Sequence, residues 1–134
     1  MDIEYAKSSD IDFINKLDTH ITKEELLKSI LNSRVIICKE NRQVVGWARY
    51  NLFWDNIPFL NMLFILEEYR NQGVGKRLVE FWESEMKQRN YSTLMTSSLS
   101  DETAQHFYRK LGYRDSGSLI LENETLEIIF TKKI

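Results

Sequence analysis

The chain has 134 residues, 43% hydrophobic and 28% charged, which is the balance of one folded domain of ordinary size and not of a disordered chain. Eighteen basic residues against twenty acidic ones leave a formal charge of −2, without the basic excess that draws proteins to phosphate backbones, so no nucleic-acid partner is expected. A single cysteine, Cys38, precludes an internal disulfide, Met1-Asp2-Ile3-Glu4 has no signal-peptide character, and the apolar run around Phe59 to Leu66 is far shorter than the roughly 20 residues that span a bilayer; a cytoplasmic protein without a membrane segment is expected.

Ile3 to Ala6 reads as a short strand, and Ile11, Ile14 and Leu17 follow at helical spacing behind Asp10, a residue suited to a helix cap. Thr22-Lys23-Glu24-Glu25 has the capping-box pattern, and Leu26, Leu27, Ile30 and Leu31 make one apolar stripe behind it, so a second helix is predicted. Val35 to Cys38 is a β-prone run, Glu40-Asn41-Arg42 turns the chain, and Val44 to Trp54 is rich in branched and aromatic residues, which predicts an antiparallel pair. Asp55-Asn56 supplies the next turn, and Phe59 to Ile65 a third consecutive strand, with Pro58 tolerated at its start.

From Val74 the spacing of Leu78, Trp82 and Met86 predicts a helix running to about Asn90. Ser92 to Ser98 is a further strand, and Asp101 is placed to cap a helix whose Ala104, Phe107, Tyr108 and Leu111 share a face until Gly112 ends it. Leu119 to Leu121 and Leu126 to Thr131 read as two closing strands. With no repeat, low-complexity tract or linker, one mixed α/β domain over residues 1–134 accounts for the whole chain.

The segment that carries chemistry is Arg70-Asn71-Gln72-Gly73-Val74-Gly75-Lys76-Arg77, between the third of those strands and the Val74 helix. Glycines at a helix start let backbone approach a ligand closely, and unpaired amides with the helix dipole suit a phosphate or pyrophosphate. A P-loop would need Ser or Thr where Arg77 stands; a dinucleotide fingerprint would need Gly where Leu78 stands. Both patterns fail.

The segment resembles the pyrophosphate loop of the GNAT acetyltransferases, with Arg70, Gly73 and Gly75 in its defining places. Leu63-Phe64-Ile65 before it and Glu68-Tyr69-Arg70 leading into it resemble the same family. A second resemblance follows: Asp101 to Tyr113 is similar to the family's Asn-x-x-Ala segment and the Tyr, two residues, Leu-Gly-Phe that succeeds it, with Asp101 for the usual Asn and Tyr113 for the usual Phe. The resemblance extends over the element order of the whole chain, and implies a single-domain GNAT-like α/β fold with a mixed central sheet of about six to seven strands flanked by about four helices.

The resemblance also implies roles. Main-chain groups of Leu63, Phe64 and Ile65 would pair with the pantetheine arm of acetyl-coenzyme A, Arg70 and the loop amides from Gln72, Gly73, Val74, Gly75 and Lys76 would hold its pyrophosphate, and Asp101 would stand in the second cofactor-binding motif. Tyr108 would lie by the thioester sulfur as the catalytic acid, since a phenol with a pKa near 10 is protonated at neutral pH. The function implied is acetyl transfer to a primary amine of a small molecule or peptide, by direct attack on the thioester, with no metal. Many family members use a Glu on the fourth strand as base, and Phe59 to Ile65 contains no carboxylate; Asn61 could hold a water there, with Asp55 and Glu67 as weak candidates. The missing carboxylate motivates an alternative, a non-catalytic module that binds coenzyme A or another protein. Homodimers are common in the family and compatible with this chain.

The plainer readings of other residues are structural. His20 and His106 have no companions at metal-ligand spacing, and Cys38 reads as a small buried hydrophobe. Trp47, Tyr50, Phe53 and Trp54 are expected in the core more than around an acceptor pocket.

Overall fold

The computed structural model describes residues 1–134. In chain order the elements are β1 (Asp2–Tyr5), a 3-10 turn at Ser8–Asp10, α1 (Ile11–Leu17), α2 (Lys23–Leu31), β2 (Val35–Glu40), β3 (Gln43–Phe53) and β4 (Ile57–Ile65). A second 3-10 turn at Glu67–Tyr69 leads to α3 (Val74–Gln88), β5 (Thr93–Leu99), α4 (Ala104–Lys110), β6 (Arg114–Leu119) and β7 (Glu127–Lys133). The strands form one sheet in the order β1-β2-β3-β4-β5-β7-β6. All neighbours are antiparallel except β4 and β5, which run parallel because α3 carries the chain back across the sheet between them. This is the mixed, helix-flanked sheet that the resemblance implied.

Strand alternation divides the core in two. Ile36, Cys38, Leu60, Leu94 and Phe130 point to the face covered by α3 and α4, where Leu78 and Trp82 meet them. Val35, Ile37 and Trp47 point to the other face, under Ile14 of α1 and Leu26 and Ile30 of α2. Both faces of β2 are therefore dry, and its sequence is a continuous apolar run without a period of two.

Several ends differ from the expectation. Asp10 stands at the N-cap position of α1 as expected, but its side chain makes no cap bond there; its Oδ2 accepts from the Lys7 amide at 2.8 Å and closes the preceding 3-10 turn. The capping box of α2 is half made: Thr22 Oγ1 accepts from Glu25 N at 3.2 Å, while the Glu25 carboxylate accepts from Lys28 Nζ at 3.2 Å. The helix expected behind Asp101 starts at Ala104, and Asp101 Oδ1 instead accepts from the Thr125 hydroxyl at 2.9 Å. β6 shares only Leu119 with the expected Leu119 to Leu121 strand and otherwise lies upstream of it, over an exposed polar stretch. It is an edge strand held by backbone pairing with β7, so no apolar alternation announces it.

Trp47 and Tyr50 are core residues as expected, but Phe53 and Trp54 are exposed at the β3–β4 turn, Trp54 by 77%. One buried pair escaped the sequence reading. Asp18, directly after α1, has a fully buried side chain and accepts from Arg49 Nε of β3 at 2.7 Å, from Arg49 Nη2 at 3.3 Å and from Trp47 Nε1 at 3.3 Å. This cluster ties the end of α1 to the middle of the sheet. Removing one member strands a buried charge, so Asp18→Ala should cost about 3–5 kcal/mol in urea unfolding. A loss below about 1 kcal/mol would mean that the pair is solvated and does not anchor α1.

Candidate functional site

β4 and β5 pair at only two positions, Phe59↔Met95 and Leu60↔Thr96, and then part. Beyond that fork, Leu63, Phe64 and Ile65 stay paired to β3 on one side, opposite Ala48, Trp47 and Gly46, and turn their other backbone edge toward open space. The opening is a cleft of about 710 Å³ walled by Leu63, Phe64 and Ile65, by the loop from Arg70 to Lys76, and by Ala104, Phe107 and Tyr108 of α4.

At one end of the cleft stands the start of α3. Gly73, the residue before the helix, has φ of +83°, a left-handed conformation that side chains disfavour, and its carbonyl accepts from Arg77 N at 3.1 Å. That first helical bond leaves the amides of Val74, Gly75 and Lys76 without an acceptor. A 15-residue helix with no acid in its first turn adds its positive dipole end there. Gly75 faces the cleft: an added Cβ would sit 3.5 Å from Phe107 Cζ and 3.6 Å from Leu63 Cδ2, ordinary contact distances.

Arg70 borders the cleft, but its Nε donates to Ile65 O at 2.8 Å and its guanidinium lies over the Phe64 ring at 5.8 Å, so it braces the end of β4. Gln72 is turned away, with Nε2 donating to Glu68 O at 2.9 Å, and offers the site its main chain alone. Lys76 is on the wall; Asp101 is not.

At the other end of the cleft Tyr108 reaches the fork. Its ring is wedged against Phe107, Tyr113 and Phe130, with centroids 5.2, 5.7 and 6.1 Å away. Burial pushes its phenol up from 10.0 to about 12, against the opposing pull of the Thr96 hydroxyl beside it. Thr96 is the last residue of β5 paired to β4, and its Oγ1 donates to Leu60 O, across the fork, at 3.0 Å. Tyr108 is thus fully protonated at neutral pH and held where the strands separate.

The arrangement is a groove with anion-binding amides at one end, a free strand edge along its side and a proton donor at the other. A family model described as an acetyltransferase (GNAT) domain matches residues 31–115, a span that contains the fork, the loop and Tyr108. The chain belongs to the GNAT acetyltransferase family. It is 33% identical over 101 residues to the YyaT protein of Bacillus subtilis (strain 168), an alignment that takes in 75% of this chain and spans 65%, just under two thirds, of that protein's length.

Solved GNAT-like structures show the same fold. The ribosomal-protein-alanine N-acetyltransferase of Brucella melitensis superposes with a TM-score of 0.86 at 16% identity, over 100% of both chains. The PaiA N-acetyltransferase of Thermoplasma acidophilum, solved in complex with coenzyme A, gives 0.82 at 17% identity, over 99% of this chain and 98% of that one.

Sequence reasoning missed Thr96 and the cleft-facing side of Phe107. Thr96 sits in a polar stretch of β5 without a motif; Phe107 reads as a core residue because the helix face that borders the cleft continues the buried stripe. The two glycines separate experimentally. Gly73→Ala should destabilise by about 1–3 kcal/mol, because φ stays positive, while Gly75→Ala should leave stability unchanged or raise it by up to about 1 kcal/mol through helix propensity. Urea melts of the two variants check this, and a Gly75→Ala loss equal to that of Gly73→Ala would show that Gly75 serves the fold.

Proposed function

We propose that the chain is an acetyl-coenzyme A-dependent N-acetyltransferase that transfers the acetyl group to a primary amine of a small molecule or peptide by direct attack on the thioester. The observation that carries this reading is that the free α3 amides, the open edge of Leu63 to Ile65 and the Tyr108 phenol follow one another along a single cleft. A pyrophosphate suits the amides of the Gln72 to Lys76 stretch. An extended arm bearing amide groups suits a strand edge that lacks a neighbour. A thioester at the fork would then lie beside Tyr108. Coenzyme A bound to the Thermoplasma acidophilum relative supports the ligand, and the name of the Brucella melitensis relative supports an amine acceptor.

In the reaction a free-base amine attacks the thioester carbonyl carbon, the carbon–sulfur bond breaks, and sulfur leaves with the bonding pair and takes the Tyr108 proton. The surplus proton on nitrogen passes to water, and water restores Tyr108. Asp55 and Glu67, weighed from sequence as bases, lie in exposed turns outside the cleft. Because no carboxylate stands on β4, a second reading is a coenzyme A-binding module without chemistry, which would bind the ligand but show no acceptor-dependent thiol release.

Gly75→Val, whose extra methyls would enter the cleft between Leu63 and Phe107, should weaken coenzyme A binding about tenfold or more, as read by calorimetry on the folded variant. Unchanged affinity would remove the α3 start from the binding site. Tyr108→Phe keeps the ring packing and should melt within a few degrees of wild type, while single-turnover acetyl transfer falls by about 10²–10⁴. A wild-type rate would take Tyr108 out of the mechanism.

A further inference from the structure

A second cavity, of about 400 Å³, opens on the opposite face of the sheet. Phe59 and Asn61 of β4 and Met95 and Ser97 of β5 line it, alternating with Leu60, Leu94 and Thr96, whose side chains point toward α3 and α4. Asn61 and Ser97 are the first residues past the last paired position on each strand, so the cavity borders the fork. Asn61 is also the extra residue of a β-bulge: Arg49 pairs with Met62 and Tyr50 with Leu60, which leaves it no partner on β3. Phe53, Leu119 and Ile129 complete an apolar wall, and Phe53 and Leu119 are exposed at its mouth, by 37% and 51%.

We infer that the acceptor which reaches the fork through this cavity is a primary amine carried on an uncharged, apolar body; this rests on the acetyltransferase reading above. The lining contains no Asp, Glu, Lys or Arg, and its polar side chains are Asn51, Asn61 and Ser97. The charged groups nearest by connection are of both signs. Arg34 donates to Asn51 Oδ1, and Glu127 stands two residues from Ile129 on the same face of β7, paired with Leu119 at the outer end.

A polycation entering here would give up its hydration with no carboxylate in the cavity, the Glu127 carboxylate at the outer end being offset by the Arg34 guanidinium on Asn51. An apolar body gains from the Phe53, Phe59, Met95 and Ile129 surface. The same uncharged, apolar lining favours the free base of the attacking amine, which is the form that the chemistry needs.

The test compares phenylethylamine and hexylamine with spermidine by acceptor-dependent thiol release from acetyl-coenzyme A. It is repeated on Asn61→Asp, a variant of nearly the same shape at an exposed position. The apolar amines should exceed spermidine in kcat/KM by about tenfold or more, and the added carboxylate should shrink that ratio by about tenfold. Spermidine as the best acceptor, or a ratio unmoved by Asn61→Asp, would overturn the inference. Binding of phenylethylamine to the coenzyme A-loaded protein is followed in parallel by saturation-transfer NMR, with Phe59→Ala as control. Binding that Phe59→Ala weakens, without thiol release from any amine, upholds the cavity assignment and sinks the acetyltransferase reading; no binding and no turnover overturns the inference.

Discussion

The structure depends on the early separation of two parallel strands. β4 and β5 share two paired positions and no more, and every functional feature is placed relative to that fork. A sheet that continued past Leu60 and Thr96 would satisfy the backbone of Leu63 to Ile65 with a neighbour and leave no cleft. Because the strands diverge, one edge of β4 keeps its hydrogen-bonding groups open in the middle of the domain, a position where unpaired backbone is otherwise avoided. An interior edge of this kind is a standing site for an extended ligand.

The fork persists because elements on both sides hold the strands apart. On one face Phe107, Tyr108, Tyr113 and Phe130 pack around the opening. Beyond β4, Arg70 secures the last carbonyl of the strand, so the chain enters α3 at a fixed angle. The Asn61 bulge adds local twist to β4 where it leaves β5. The two cavities follow from the same geometry, one on each face: a cleft with free amides and a proton donor, and an apolar cavity on the other side.

Packing on the α1–α2 face serves the site indirectly. The buried Asp18–Arg49 pair and the stacked Trp47–Phe64 rings, 4.7 Å apart, connect the end of α1 through β3 to the residue that walls the cleft. Arg49 pairs with Met62, next to the bulge. The charges here sit in a dry layer, where a complete set of hydrogen bonds outweighs the cost of desolvation and a partial set does not.

Much of this was legible in the amino-acid order. β2 to β4, α2 and α3 are announced by apolar spacing and turn chemistry, and the glycine loop with the Tyr108 segment is enough to recognise the family, because both are local patterns whose physics operates within a few residues. The start of α4, the place of β6 and the exposure of Phe53 and Trp54 were not legible, since each is decided by tertiary surroundings: Thr125 takes the Asp101 carboxylate, and β7 pairs with an edge strand that has no apolar signal. Asp18 and Arg49 stand far apart in sequence and carry no mark of their pairing. The sequence by itself therefore determined the family, through the glycine loop and the segment around Tyr108. Only the tertiary structure decided that β4 and β5 part at Leu60 and Thr96, that Gln72 and Asp101 turn their side chains away from the cleft, and that an uncharged cavity borders the fork on the other face, because burial and strand pairing are properties of surfaces brought together from across the chain.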